Sequence, residues 1–334
     1  MRRSIESVIE SWATKDASRP LLIRGARRVG KTYAAEEIGR RIAGDAFVKL
    51  DFQTDLELIA PLFDCPTDDV DTIVARISDY KRTPIRKETA FILFDEVQLC
   101  ERALTSLKYF CEDAPDYHII VAGSLLGVAV NQAKFSFPVG KVDMKTLYPM
   151  DMEEFMLALG ENELVAQIKE CFRTNAPLPS ALHDAAMQLY RQYLVVGGMP
   201  ECVMQFVETK DHILVRHTQD TIRASYLNDM SKYNSLNEIK KTRLAYDNIT
   251  VQLSRKNTRF QYKLIKKGGR AAEFENAIEW LCLSGIVSQV YKVEQIKKPL
   301  ENYRDIDSFK IYVSDLGLLC AKKDLAANDV LYMV

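Results

Sequence analysis

The chain has 334 residues, of which 47% are apolar and 27% charged, with a formal net charge of −1. That length holds two or three domains of about 100–200 residues each, and the balance supports packed cores while excluding a disordered or low-complexity chain. The longest apolar runs, such as Ile119-Ile120-Val121-Ala122, fall far short of the ~18 residues that a membrane span needs.

Met1-Arg2-Arg3 is basic, but no apolar segment follows it, so an ordinary signal peptide is not expected. The seven cysteines (Cys65, Cys100, Cys111, Cys171, Cys202, Cys282, Cys320) are odd in number and show no C-x-x-C spacing. They read as reduced thiols of a cytoplasmic protein, neither disulfides nor zinc ligands. His118, His183, His212 and His217 form no ligand cluster in sequence, and His118, His212 and His217 read as structural.

In chain order, Ser4 to Trp12 predicts a helix with Ile5, Val8, Ile9 and Trp12 on one face. The apolar run Pro20-Leu21-Leu22-Ile23 predicts a strand, and Tyr33 to Ile38 a helix. Between them stands Gly25-Ala26-Arg27-Arg28-Val29-Gly30-Lys31-Thr32. Strand, G-x-x-x-x-G-K-T, then helix is the context of a phosphate-binding loop. The glycines let backbone N–H groups converge on one concavity, and a helix start adds partial positive charge. Residues Gly25 to Tyr33 are therefore the candidate ATP contacts, with Lys31 reaching the β- and γ-phosphates and the Thr32 hydroxyl holding Mg²⁺.

Ala46 to Phe52 predicts a second strand, and Val70, Ile73, Val74 and Ile77 recur at helical spacing. Ala90 to Phe94 is apolar without alternation, as in a parallel strand covered on both faces. It ends in Asp95-Glu96, with Asp95 following Lys31 by 64 positions (95 − 31). Asp95 is the second candidate Mg²⁺ contact and Glu96 the candidate general base. Tyr117 to Gly123 predicts the next strand, and Ser124 at its carboxyl end is a candidate catalytic hydroxyl facing the γ-phosphate or the water.

Val142 to Leu147 adds a fifth strand. The expected order has the phosphate-loop strand in the middle, the Asp95 strand beside it and the Ala46 strand outermost. The predicted class is α/β, a parallel, helix-covered sheet of the RecA/AAA type with nucleotide at its carboxyl edge. Lys134 to Lys141 reads as a tight hairpin or loop.

From Asp151 to Leu194 the periodicity is helical, broken at Pro177 and Pro179. Gly197-Gly198-Met199-Pro200 allows close backbone approach to a ligand or a neighbouring helix, followed by a fixed helix start. Ile213 to Tyr226 and Leu236 to Leu253 are further helix candidates, with Asn228-Asp229 as a joint. Beyond Leu244 we read a winged helix. Its helices are Ala245–Leu253, Gln261–Lys266 and Arg270–Leu281, and Val287–Lys292 and Phe309–Val313 form the wing. Lys232 to Lys298 carries fourteen Lys/Arg against six Asp/Glu, an excess of +8 in a chain of net −1. This block, 232–298, fits nucleic-acid phosphate contact around Lys263, Lys266 and Lys267, or a solvated surface. The third helix also presents Glu273 and Glu279, which argues against base readout. A protein partner or a second copy of the chain is the other candidate, and no membrane is expected.

Gly25–Thr32, Phe91–Glu96, Phe135–Lys141 with Leu147-Tyr148-Pro149-Met150, Gly197–Pro200 and Phe309–Leu319 together resemble the bacterial and archaeal AAA-type ATPases of the STAND-related clade. The resemblance implies a P-loop ATPase core over 1–150, a helical lid over 151–235, a winged helix over 236–325, and a restriction-endonuclease-like module after it. Residues 326–334 read as a truncated start of that module. It also implies that Gly198-Met199-Pro200 is a lid motif, with Pro200 touching nucleotide. Lys141 stands where these proteins usually have arginine, and it offers a point charge in place of a planar fork. Mg-dependent ATP hydrolysis is the leading expectation, and a slow or non-hydrolysing nucleotide-gated switch the alternative. A small kinase shares the loop but has no use for a water-activating Asp95-Glu96 pair.

Overall fold

The computed structural model describes residues 3–14, 19–124, 140–232, 236–255 and 259–332. They fall into two compact units divided between Tyr148 and Pro149. The expected loop over Lys134–Lys141, with Phe135 and Phe137, lies outside the described residues up to position 139.

The first unit runs α1 (Ser4–Ala13), β1 (Leu21–Arg24), α2 (Lys31–Ala43), β2 (Phe47–Asp51), α3 (Leu56–Ile59), α4 (Val70–Lys81), β3 (Phe91–Asp95), α5 (Glu101–Asp113), β4 (His118–Ala122) and β5 (Asp143–Thr146). The five strands pair in parallel in the order β2-β3-β4-β1-β5. This corrects the expected order. β4 lies between the phosphate-loop strand and the Asp95 strand, and β1 is next to the edge. Lys31 and Thr32 still face Asp95 because α2 starts at the end of β1 and crosses the sheet toward β2 and β3.

Strand alternation gives the sheet two apolar faces. Leu22, Val48, Leu50, Ile92, Phe94, Ile119 and Val121 join Phe52, Phe63 and Phe110 in one core cluster under α4 and α5. On the other face Trp12 of α1 meets Phe91 and His118 edge-on, at ring distances of 5.9 and 5.5 Å. Gly39 lets α2 approach that face, since a Cβ there would press on the Phe47 and Phe91 rings.

The second unit begins with α6 (Met152–Ala158), α7 (Asn162–Thr174), α8 (Ser180–Val196), α9 (Pro200–Thr209) and α10 (His212–Lys232). Asp151 and Glu154 form a capping box at the start of α6. Asn228-Asp229 is no joint; both lie inside α10, where Ile222, Tyr226 and Met230 keep one face buried. Then come α11 (Leu236–Leu253), α12 (Tyr262–Ile265), α13 (Ala271–Leu283), β6 (Val287–Val293), β7 (Arg304–Val313), α14 (Leu316–Lys322) and α15 (Ala327–Leu331). β6 and β7 pair antiparallel, and β7 begins five residues before the expected Phe309. Its first residue, Arg304, lies over the Tyr291 ring at 3.9 Å. No helix among the described residues is long and apolar enough to cross a membrane.

Candidate nucleotide site

The loop after β1 depends on its glycines and is braced by Arg3, the residue before α1. At Gly25, with φ 149°, a Cβ would overlap the Leu147 carbonyl. Gly30 is left-handed at φ 91° and caps α2, a conformation that side chains resist. Arg3 is buried and donates from Nη1 to the Val29 carbonyl (2.9 Å) and from Nη2 to that of Tyr148 (2.8 Å). The Lys31 ammonium donates to the Gly25 and Ala26 carbonyls at 3.0 and 2.8 Å, so it sits within the loop's concavity.

Across from the loop, the Thr32 hydroxyl donates to Asp95 Oδ1 at 2.8 Å. Lys49 Nζ stands 3.6 Å from Asp95 Oδ2 and 3.3 Å from Glu36 Oε2, and Glu36 also pairs with Arg40 at 2.9 Å. Burial pushes the Asp95 carboxyl above its ordinary range, against the pull of Thr32 and Lys49. Desolvation would lower the Lys49 ammonium, yet the Asp95 and Glu36 carboxylates outweigh it and raise it. For Glu36 burial acts upward, but Arg40 and Lys49 hold it below the usual range.

Glu96 is itself left-handed, at φ 53°. Its Oε2 accepts from the Ser124 backbone N–H at 3.2 Å, from the Ser124 hydroxyl at 3.1 Å and from Gln98 Nε2. β4 brings Ser124 there because it lies beside β3.

A hydroxyl and a carboxylate in contact, beside a loop built for phosphate, suit Mg²⁺. That ion takes one or two protein oxygens and fills the rest of its octahedron with phosphate and water. Among the described residues no group of three or more His, Cys, Asp or Glu could hold a metal by themselves, so the donor set fits an ion brought with a phosphate ligand.

Residues 17–156 match the family model described as an AAA domain. The Walker-type ATPase of Pyrococcus abyssi resembles the chain with a TM-score of 0.56 at 14% identity, over 96% of this chain and 95% of that one. The first unit has the fold of an AAA-type P-loop ATPase.

Residues 187–329, outside the AAA core, match a domain of unknown function, DUF8612. Two further solved structures come from Aeropyrum pernix. The ORC2 protein in its ADPNP–ADP complexes matches at TM-score 0.45 and 13% identity, covering 99% of this chain and 94% of that one. The ORC1 protein in complex with DNA matches at TM-score 0.36 and 11% identity, covering 97% and 93%. No curated protein matches the chain.

Within the AAA core, Gly25 to Thr32, Asp95, Glu96 and Ser124 lie in one connected set. Tyr33 points outward, 60% exposed. Lys141 is engaged with Glu112 at 2.8 Å. Pro200 opens α9 in the second unit, where the glycines before it close on protein, not on open space. A Cβ at Gly198 would overlap the Met150 carbonyl, and one at Gly197 the Asp315 carboxylate. Asp315 accepts from the Gly198 and Leu318 N–H groups at 2.6 and 2.8 Å, and it caps α14.

Four residues of the candidate site escape sequence reasoning. Arg3 looks like a terminal charge, and Gln98 like a turn residue. Lys49 sits on the partly buried face of β2 and reads as a solvated strand residue. Glu36 alone leaves a usable signal, because it follows Thr32 by one helical turn.

Proposed function

We propose that the chain binds ATP with Mg²⁺ and hydrolyses it. The observation that carries this reading is the 2.8 Å bond from Thr32 to Asp95, which joins the phosphate loop to the carboxylate pair. The Gly25–Thr32 backbone and Lys31 bind the phosphates, and Thr32 and Asp95 hold the ion. When bound, Mg²⁺ neutralises charge on the phosphate oxygens. Glu96 takes a proton from the water that attacks the γ-phosphorus in line, and ADP departs.

The bonds from Ser124 and Gln98 favour a slow basal rate. Those bonds hold the Glu96 carboxylate on protein donors, and an attacking water must displace one of them to reach it. The nucleotide-gated switch is therefore the second reading, and Lys141, paired to Glu112, adds no free cation in its place.

We extend the proposal to the second unit as a helical lid over 151–235 and a winged helix over 236–325. Gly198-Met199-Pro200 belongs to the lid, and nucleotide state drives rearrangement of these parts. The STAND relation belongs to the same reading. Nucleic acid is the partner favoured for the basic block. An open cavity of about 540 Å³ there is lined by Arg259, Lys263, Arg270 and Tyr262, and the Lys263 and Arg270 side chains form no ion pair among the described residues. A protein partner is the alternative.

Steady-state ATP hydrolysis, with and without duplex DNA, tests the proposal. Glu96→Gln should keep ATP binding and lose turnover by roughly 100-fold; unimpaired turnover removes Glu96 as the base. DNA should raise wild-type turnover. If it does not, the basic block is left to a protein partner.

A further inference from the structure

β2 is an edge strand, and its Phe47, Lys49 and Asp51 face is only partly buried. Lys49 occupies the middle of that face, in register with Leu93 of β3 and on the same side as Asp51 and Asp95. Its Nζ is bracketed by two carboxylates, Asp95 at 3.6 Å and Glu36 at 3.3 Å. Only Asp95 touches Thr32. Glu36 lies one turn further along α2 and shares its charge between Lys49 and Arg40. The lysine therefore has one anion inside the proposed metal site and a second just outside it.

We propose that Lys49 is a positioning residue that competes with Mg²⁺ for Asp95 and is handed to Glu36 when the metal–nucleotide enters. The proposal rests on the reading of this site as a nucleotide site. A divalent ion against Asp95 brings like charges to within a few ångströms of the ammonium, and at such distances the repulsion is strong in a half-buried setting. Glu36 already bonds the ammonium at 3.3 Å, so a small rotation of the flexible four-carbon stem gives up Asp95 and keeps Glu36. Lys49 thus stabilises the metal-free site and weakens Mg²⁺. Glu36 does the opposite, by giving the displaced ammonium a place to go. The site consequently responds to magnesium as well as to nucleotide.

The test titrates Mg²⁺ into the full chain and reads the affinity of a fluorescent ATP analogue by anisotropy. Lys49→Met, with Lys49→Gln as a second variant, should lower the half-saturating Mg²⁺ concentration by roughly three- to tenfold. Glu36→Gln should raise it by a similar factor. The double variant should follow Lys49→Met alone, because without the ammonium Glu36 has nothing to receive. Simple additivity of the two shifts would overturn the hand-over. An unmoved or raised Mg²⁺ midpoint in both Lys49 variants would overturn the competition itself. Lys31→Ala separates the underlying reading: it should lose the analogue at every Mg²⁺ concentration. If it binds like the wild type, or if the wild type binds no analogue, the nucleotide site falls and the Lys49 proposal with it.

Discussion

Asp95 and Asp315 are both buried aspartates at the carboxyl end of a strand, one in each unit, and they are satisfied in opposite ways. Asp95 is 5% exposed and Asp315 3%. Asp95 is met by a threonine hydroxyl and a lysine ammonium, groups that can rotate away when a ligand arrives. Asp315 is met by the backbone N–H groups of Gly198, Leu318, Gly317 and Met199, which cannot. It ties the start of α14 to the turn before α9. Burial of an acid therefore does not separate the proposed metal contact from a structural acid; the kind of partner that meets each one does.

The largest effect that could break this comparison is on stability. Asp315→Ala leaves several buried N–H groups without acceptors and removes a helix cap. We expect a loss of about 3–4 kcal/mol in urea unfolding. A loss under about 1 kcal/mol would mean that the glycine turn stands without its anion, and the contrast with Asp95 would collapse.

The pH dependence follows from the same contact. Burial pushes the Asp315 carboxyl from 3.8 up to about 6, with the four N–H donors pulling the other way. Its folded value lies above its unfolded one, so its protonation favours the folded state. That contribution is fully present below about pH 4 and is lost as the pH rises through 6. The wild type should therefore lose up to about 3 kcal/mol across this window relative to Asp315→Asn. Parallel stability curves for the two proteins between pH 4 and 7 would remove Asp315 as the source.

The two units also differ in how far their sequence announced them. Lys31, Thr32, Asp95 and Glu96 were legible because phosphate chemistry needs them in a fixed local pattern, and strand ends bring such patterns together. Ser124 was legible as a hydroxyl at the carboxyl end of a strand for the same reason. The place of β4 between β1 and β3 was not, since strand order depends on crossovers that no local run encodes. Lys49 was hidden by the alternation Phe47-Val48-Lys49-Leu50-Asp51, which reads as one apolar face and one wet one. The Gly197-Gly198 turn suggested close approach, but its partner is Asp315, 117 residues beyond Gly198. No local periodicity links two such segments.

The smallest effect is the one that sharpens the comparison most. Asp95 has a single close hydrogen bond from a side chain, and burial raises its pKa, so its charge is held at a cost to the folded state. Asp95→Asn keeps the shape, removes that charge and leaves Lys49 its other partner, Glu36. We expect unfolding without nucleotide to be unchanged or stabilised by up to about 1 kcal/mol, as is common where a site is kept for binding at the expense of stability. The same variant should lose the Mg²⁺-dependent part of its affinity for an ATP analogue. A destabilisation matching that of Asp315→Ala would instead make Asp95 a structural anchor, and would leave Thr32 alone to argue for the metal.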